Sequence, residues 1–259
     1  MLYKALMLDL DGTLIPYDHE ALPSRKVREA VKKAQGTVSI CIVTGRSLHS
    51  VTNMFPLLGI KKGYAVLNNG AQVFALETNK LHYDQPIMQK DLALLVATLL
   101  AENIAFYLKD EAYEMRKNRI CYQHGQPLSK TYMLYTDDVL SDKKANHLIN
   151  LLHPITGLTI HKTHHKLPDK YALNITHSNA TKLHGIHVVQ KLLGVTQEET
   201  IGIGDSYNDF PLLMACGLKV AMGNAVEDLK EIADVIAPPV TEDGVASIIE
   251  RYILSNTKY

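Results

Sequence analysis

Two aspartates on alternate residues, Asp9 and Asp11, stand where an apolar segment (Tyr3 to Leu10) runs into the turn Asp11, Gly12, Thr13. In an extended segment alternate residues turn to one side, and like charges crowded there are costly unless a cation neutralises them. A hard, oxygen-seeking ion such as Mg2+ meets that need. One carboxylate can then attack phosphorus to give an acyl phosphate, while the other protonates the leaving oxygen and later takes a proton from water. Asp9 is the nucleophile of this reading and Asp11 its acid/base.

A second acidic turn, Gly202 to Asp209, again follows an apolar run and precedes a helical pattern. Asp205 offers a third metal carboxylate. Asn208 can donate its amide to a phosphate oxygen, Ser206 can use its backbone or hydroxyl near the metal, and Asp209 can orient these groups from behind. Thr44 ends another apolar run with a hydroxyl, and the Gly45 amide lies beside a helix start, so both can bind phosphate oxygens. Lys182 opens a further helical pattern, where a compact ammonium can pair with phosphate and with Asp9. Aspartates also cap turns and lysines are mostly solvated. What sets these apart is that all four segments occupy strand-end or helix-start positions in a consistent chain order, so their side chains can converge.

The elements that must position them alternate. Tyr3 to Leu10 reads as a strand apolar on both faces, as at the centre of a parallel sheet. Val27, Ala30, Val31 and Ala34 recur at helical spacing behind a Ser24 N-cap, with Gly36 past the end. Val38 to Val43 is a second strand, and Leu48, Val51, Phe55 and Leu58 form the stripe of one following helix. Tyr64 to Leu67 and Gln72 to Leu76 flank a hairpin turn at Asn69 and Gly70. The alternation resumes with a helix from Thr181 to Leu193, a strand Thr200 to Ile203, a helix Phe210 to Ala215, a strand Lys219 to Ala221 and a last helix Val245 to Leu254. This predicts an α/β fold: a doubly wound, mostly parallel, Rossmann-like sheet.

Residues 85–177 read differently, with helices at Asp91 to Glu102 and Ser141 to Leu152 among strands at Ala105 to Leu108, Tyr132 to Tyr135, Thr159 to Lys162 and Tyr171 to Thr176. The expectation is a core from 1–84 and 178–259 and an inserted α+β cap domain at 85–177, joined by short hinges near Tyr83 to Pro86 and His177 to Asn179.

With 259 residues and 46% hydrophobic content, the chain can bury a sizeable core. Lysine plus arginine number 27 and aspartate plus glutamate 27, so net charge is zero and no basic track suits nucleic acid. Cys41, Cys121 and Cys216 are odd in number and far apart, as for reduced thiols. The apolar run Leu92 to Ala101 is too short for a bilayer that needs ~20 residues. The first residues carry no signal-peptide pattern, because Asp9 and Asp11 break the apolar run. A cytoplasmic location, away from membranes, is expected. His161, His164 and His165 read as a polar surface of the insert, since no zinc partners match them.

On Asp9 to Thr13, Thr44, Lys182, and Gly204 with Asp205 through Asp209, the whole chain resembles the haloacid dehalogenase superfamily, in its Cof-like branch with a large cap. The resemblance implies a phosphatase for small phosphate monoesters, such as sugar phosphates. It implies Mg2+ held by the side chains of Asp9 and Asp205 and the backbone carbonyl of Asp11, with the Leu10 amide on phosphate. Relatives have glycine directly after the lysine, whereas Leu183 stands here and Gly185 comes later. Two alternatives carry the same residues: a phosphomutase-like phosphotransferase, and a phosphometabolite-binding protein without turnover.

Overall fold

The computed structural model describes residues 3–17, 21–110, 130–136, 139–164 and 169–255. Cys121 and His165 of the sequence reading lie outside them. The chain divides into two compact units, Met1–Asp84 with Lys182–Tyr259, and Gln85–Thr181.

The first piece opens with β1 (Ala5–Leu8), whose four residues are all buried. Next comes α1 (Arg25–Ala34), its first turn fixed by Ser24 Oγ accepting the Val27 amide at 3.1 Å. β2 (Ser39–Val43) leads into α2 (Leu48–Val51) and α3 (Met54–Leu57). A single helix was expected here. The apolar stripe buries as it would on one helix, but Pro56 has no amide to give the Thr52 carbonyl and its ring crowds that carbonyl, so the helix breaks. β3 (Tyr64–Leu67) and β4 (Gln72–Ala75) pair antiparallel across a turn in which Asn68, Asn69 and Gly70 all have positive φ. β5 (Lys80–Asp84) extends the sheet through residues read as the start of a hinge.

The second unit contains α4 (Gln89–Ala101), β6 (Phe106–Asp110), β7 (Thr131–Thr136), β8 (Leu140–Ser141), α5 (Asp142–Leu152), β9 (Leu158–His164) and β10 (Lys170–His177). β10 is central, antiparallel to β7, β8 and β9. Leu92, Leu95 and Leu99 of α4 and Leu148 and Leu152 of α5 bury against Leu134, Leu173 and Ile175, giving this unit its own core. It ends at Thr181 rather than His177, because 178–180 are tied back into it. Ser178 N donates to Gly157 O at 2.8 Å, Ala180 N to His177 O at 2.8 Å, and Thr176 Oγ1 to Ala180 O at 2.9 Å.

The chain returns through α6 (Lys182–Leu193), β11 (Thr200–Gly204), α7 (Phe210–Met214), β12 (Leu218–Ala221), α8 (Glu227–Glu231), β13 (Val235–Ile236) and α9 (Gly244–Ile249), which runs on as a π-helical turn, Glu250–Leu254. Strand order in the first unit is β13-β12-β11-β1-β2-β3-β4-β5, parallel from β13 to β3 and antiparallel beyond. β1 lies between β2 and β11, so the segments after these three strands share one sheet edge. Among the described residues no helix is long and apolar enough to cross a membrane.

Candidate functional site

Beyond β1 the chain keeps its sheet register for one more residue, Asp9 N donating to Ile203 O at 3.0 Å, and then turns sharply. The Leu10 carbonyl accepts the amides of Leu14 at 2.9 Å and Ile15 at 3.0 Å. Gly12 takes φ +82° in this turn, and a Cβ there would stand 2.3 Å from Asp205 Oδ2, so only glycine fits. The amides of Leu10 and Asp11 donate to no acceptor among the described residues.

Lys182, the first residue of α6, is buried with its Nζ 2.6 Å from Asp9 Oδ1 and 2.6 Å from Asp209 Oδ1. The second Asp209 oxygen accepts the amides of Asp205 and Ser206, each at 3.0 Å. Asp209 therefore ties the turn after β11 to the lysine, and Ser206 caps that turn reciprocally. Gly185, the displaced glycine of α6, sits where a Cβ would be 2.3 Å from Val66 Cγ1, so α6 packs closely on β3.

The end of β2 holds Thr44, buried, with its amide on Val66 O at 2.9 Å and its hydroxyl accepting the Arg46 amide at 3.1 Å. Gly45 lies against Asn69, whose Oδ1 would be 2.9 Å from a Cβ at Gly45. The same Oδ1 accepts from Asn208 Nδ2 at 3.3 Å. Thr44, Gly45 and Asn208 thus meet around Asn69. Its neighbour Asn68 donates to Gln72 at 3.0 Å and leaves a buried Oδ1 with no donor.

Asp11 turns away from the other carboxylates to Arg46, whose Nε lies 2.9 Å from Oδ2. Asp205 receives two hydroxyls, Thr13 Oγ1 on Oδ1 at 2.8 Å and Tyr17 on Oδ2. Arg46 and Tyr17 were not singled out from sequence, and Asn69 was read there as part of a hairpin turn rather than of the site. Arg46 follows Thr44 and Gly45 directly, and an Asn pair before Gly70 signals left-handed backbone, but Tyr17 carries no local signature.

Carboxylate oxygens of Asp9, Asp205 and Asp209 lie within 4.8 Å of one another. Three buried carboxylates face one buried ammonium. Burial, followed by Asp209, pushes the Asp9 carboxyl well up, with Lys182 opposing, and the Asp205 carboxyl is raised to about 7 by burial and then by Asp209. Burial works against the Lys182 charge, yet Asp209 and Asp9 together carry its pKa above the ordinary lysine value, so the lysine stays charged. The shortage of positive charge and the all-oxygen donor set fit Mg2+. Both Asp209 oxygens are engaged by the Lys182 ammonium and two backbone amides, whereas among the described residues Asp205 meets hydroxyls alone and Asp9 Oδ2 has no donor, so Asp9 and Asp205 are the better placed for the cation.

Doubly wound sheets bind their ligands at this edge, and a cluster of buried, pKa-shifted carboxylates around one lysine there is the candidate active site. The model of the haloacid dehalogenase-like hydrolases matches residues 6–249, and the chain belongs to that family. The 5-amino-6-(5-phospho-D-ribitylamino)uracil phosphatase YcsE of Bacillus subtilis is 28% identical over 97% of this chain and 96% of its own. Phosphatase YwpJ of the same organism is 26% identical over 96% of this chain and all (100%) of its own. A solved haloacid dehalogenase-like hydrolase from B. subtilis has the same fold, with TM-score 0.82 at 22% identity over 96% of this chain and 99% of that one.

Proposed function

We propose that the chain is a Mg2+-dependent, cytoplasmic phosphatase that hydrolyses small phosphate monoesters, sugar phosphates among them, through an aspartyl-phosphate on Asp9. The observation that carries this reading is the Asp9 carboxylate, one oxygen held by Lys182 at 2.6 Å and the other without a donor among the described residues, beside the amides of Leu10 and Asp11, which find no acceptor among them. The phosphoryl group docks on Lys182, Thr44, Gly45, Asn208 and the Leu10 amide. Asp9 attacks phosphorus in line, Asp11 protonates the leaving alcohol, and Asp11 then takes a proton from the water that cleaves the phosphoaspartate. The side chains of Asp9 and Asp205 and the backbone carbonyl of Asp11 would hold Mg2+, which would supply positive charge for the phosphoryl group. Ser206 and Asp209 hold the turn that carries Asp205.

In this reading the unit formed by 1–84 and 182–259 is the catalytic core and the insert is a cap domain. Relatives named for phosphatase activity at 28% and 26% identity support the reaction, and the phosphorylated ribityl chain in one name supports a polyol phosphate as substrate. The test is phosphate release from an aryl phosphate and a panel of sugar phosphates, with and without Mg2+, for wild type and Asp9→Asn. Release that needs Mg2+ and vanishes in Asp9→Asn supports the mechanism. Release unchanged by the substitution, or transfer of phosphoryl to a second sugar instead of labelled water, sinks it.

A further inference from the structure

The four oxygens of Asp9 and Asp205 are unequally free. Asp9 Oδ1 is taken by Lys182 and Asp9 Oδ2 is open, but at Asp205 both oxygens carry hydroxyl protons, from Thr13 on Oδ1 at 2.8 Å and from Tyr17 on Oδ2. These two donors differ in how firmly they are held. Thr13 is 1% exposed, inside the turn closed on Leu10 O. Tyr17 is 60% exposed as a residue, its ring resting on Gly12 with Cε2 2.6 Å from where a Cβ would lie, and only its hydroxyl tip is buried in the site, hydrogen-bonded to Asp205 Oδ2 and to the Ser206 side chain. A hydroxyl on a carboxylate oxygen takes one of its lone pairs and lowers its charge density, so it competes with a cation for that oxygen.

We infer that Tyr17 is an internal competitor of the cation: its hydroxyl covers Asp205 Oδ2 and gives that oxygen up when Mg2+ binds. The inference rests on the proposed Mg2+ site at Asp9 and Asp205. It makes Tyr17 a positioning residue that raises the Mg2+ concentration needed to fill the site and swings outward as the site fills. Gly12 serves both states, since any side chain there would displace the ring and Asp205 together.

Calorimetric Mg2+ titration of the full chain, as wild type, Tyr17→Phe and Asp205→Asn, tests this without reference to turnover. The phenyl ring keeps its place on Gly12, and a thermal melt in EDTA verifies that the variant folds. Losing a hydrogen bond to a charged group is expected to tighten Mg2+ binding by about tenfold in Tyr17→Phe. The chain contains no tryptophan, so tyrosine emission is directly visible, and the wild type should show a Mg2+-dependent change that Tyr17→Phe lacks. If wild type binds Mg2+ through Asp205 but Tyr17→Phe binds equally or more weakly, the inference is overturned and the proposed site stands. If Asp205→Asn binds Mg2+ as wild type does, or wild type binds none, both fall.

Discussion

Arg46 grips Asp11 at two points, Nε on Oδ2 at 2.9 Å and Nη2 on Oδ1 at 2.5 Å, with 14% and 32% of the two side chains exposed. A planar guanidinium fixes a carboxylate in orientation as well as in charge. If Arg46 aims Asp11 at the leaving oxygen, Arg46→Ala should lower kcat by about 100-fold on alkyl phosphates, the scale of a misplaced acid/base. Aryl phosphates, whose leaving group needs little protonation, should lose far less. Arg46→Lys should rescue only in part, because an ammonium cannot make the two-point contact. Equal losses on both substrate types would assign Arg46 to phosphate binding instead.

Lys182 is fully enclosed between Asp9 and Asp209. Lys182→Met fits the space but leaves the carboxylates of Asp9 and Asp209 buried without their shared counter-charge. A loss of about 3–5 kcal/mol in unfolding free energy is expected from breaking such a pair. Denaturant midpoints measured in EDTA would show it, and phosphate release should vanish even where the variant folds.

Asn69 holds φ +57° while its Oδ1 accepts from Asn208. These two duties separate by substitution. Asn69→Gly keeps the left-handed backbone and loses the carbonyl, so kcat/KM should fall with stability nearly unchanged. Asn69→Ala loses both, and should also cost about 1 kcal/mol of stability from the strained φ. Melting curves beside steady-state kinetics distinguish the two.

Asp205 has an ordinary value of 3.8 and a folded value of about 7 without a cation, and Asp9 shifts in the same direction. The folded state then binds protons that the unfolded chain has released, so the stability these groups confer is full below pH about 4 and lost as pH rises through about 7. The protein in EDTA should melt at lower temperature at pH about 7.5 than at about 5, and Mg2+, taking the protons' place, should raise Tm more at the higher pH. A Tm gain independent of pH would contradict this.

The doubly wound sheet was legible because its strands are short apolar runs ending in turns that carry Asp, Gly or Thr, signals that tertiary context rarely overrides. β5 was missed although Leu81 and Tyr83 alternate with Lys80, His82 and Asp84, because a short, exposed to half-exposed edge strand has no buried face to mark it, and β13 because two residues hold no period. The break between α2 and α3 was masked by a stripe that buries correctly on either side of Pro56. Within the site, the turns after β1, β2 and β11 and the start of α6 could be read from strand ends alone. Which oxygen meets which donor could not. The pairing of Asp11 with Arg46 and of Asp205 with Tyr17 depends on how three loops cross, and no spacing along the chain encodes that.

The central strand β1 takes one neighbour from the first piece of the core and the other from the last, and Thr13 meets Asp205 across 192 positions of sequence. A ribosome adding ~5–20 residues per second needs roughly 10–40 s to make the intervening stretch. For that interval β1 has an apolar edge unpaired, while every residue of the insert, which has its own core, has already been made. Vectorial synthesis therefore delivers the middle of the protein first. The nascent N-terminal strands wait, exposed to other edges and to chaperones, for the segment that brings Asp205.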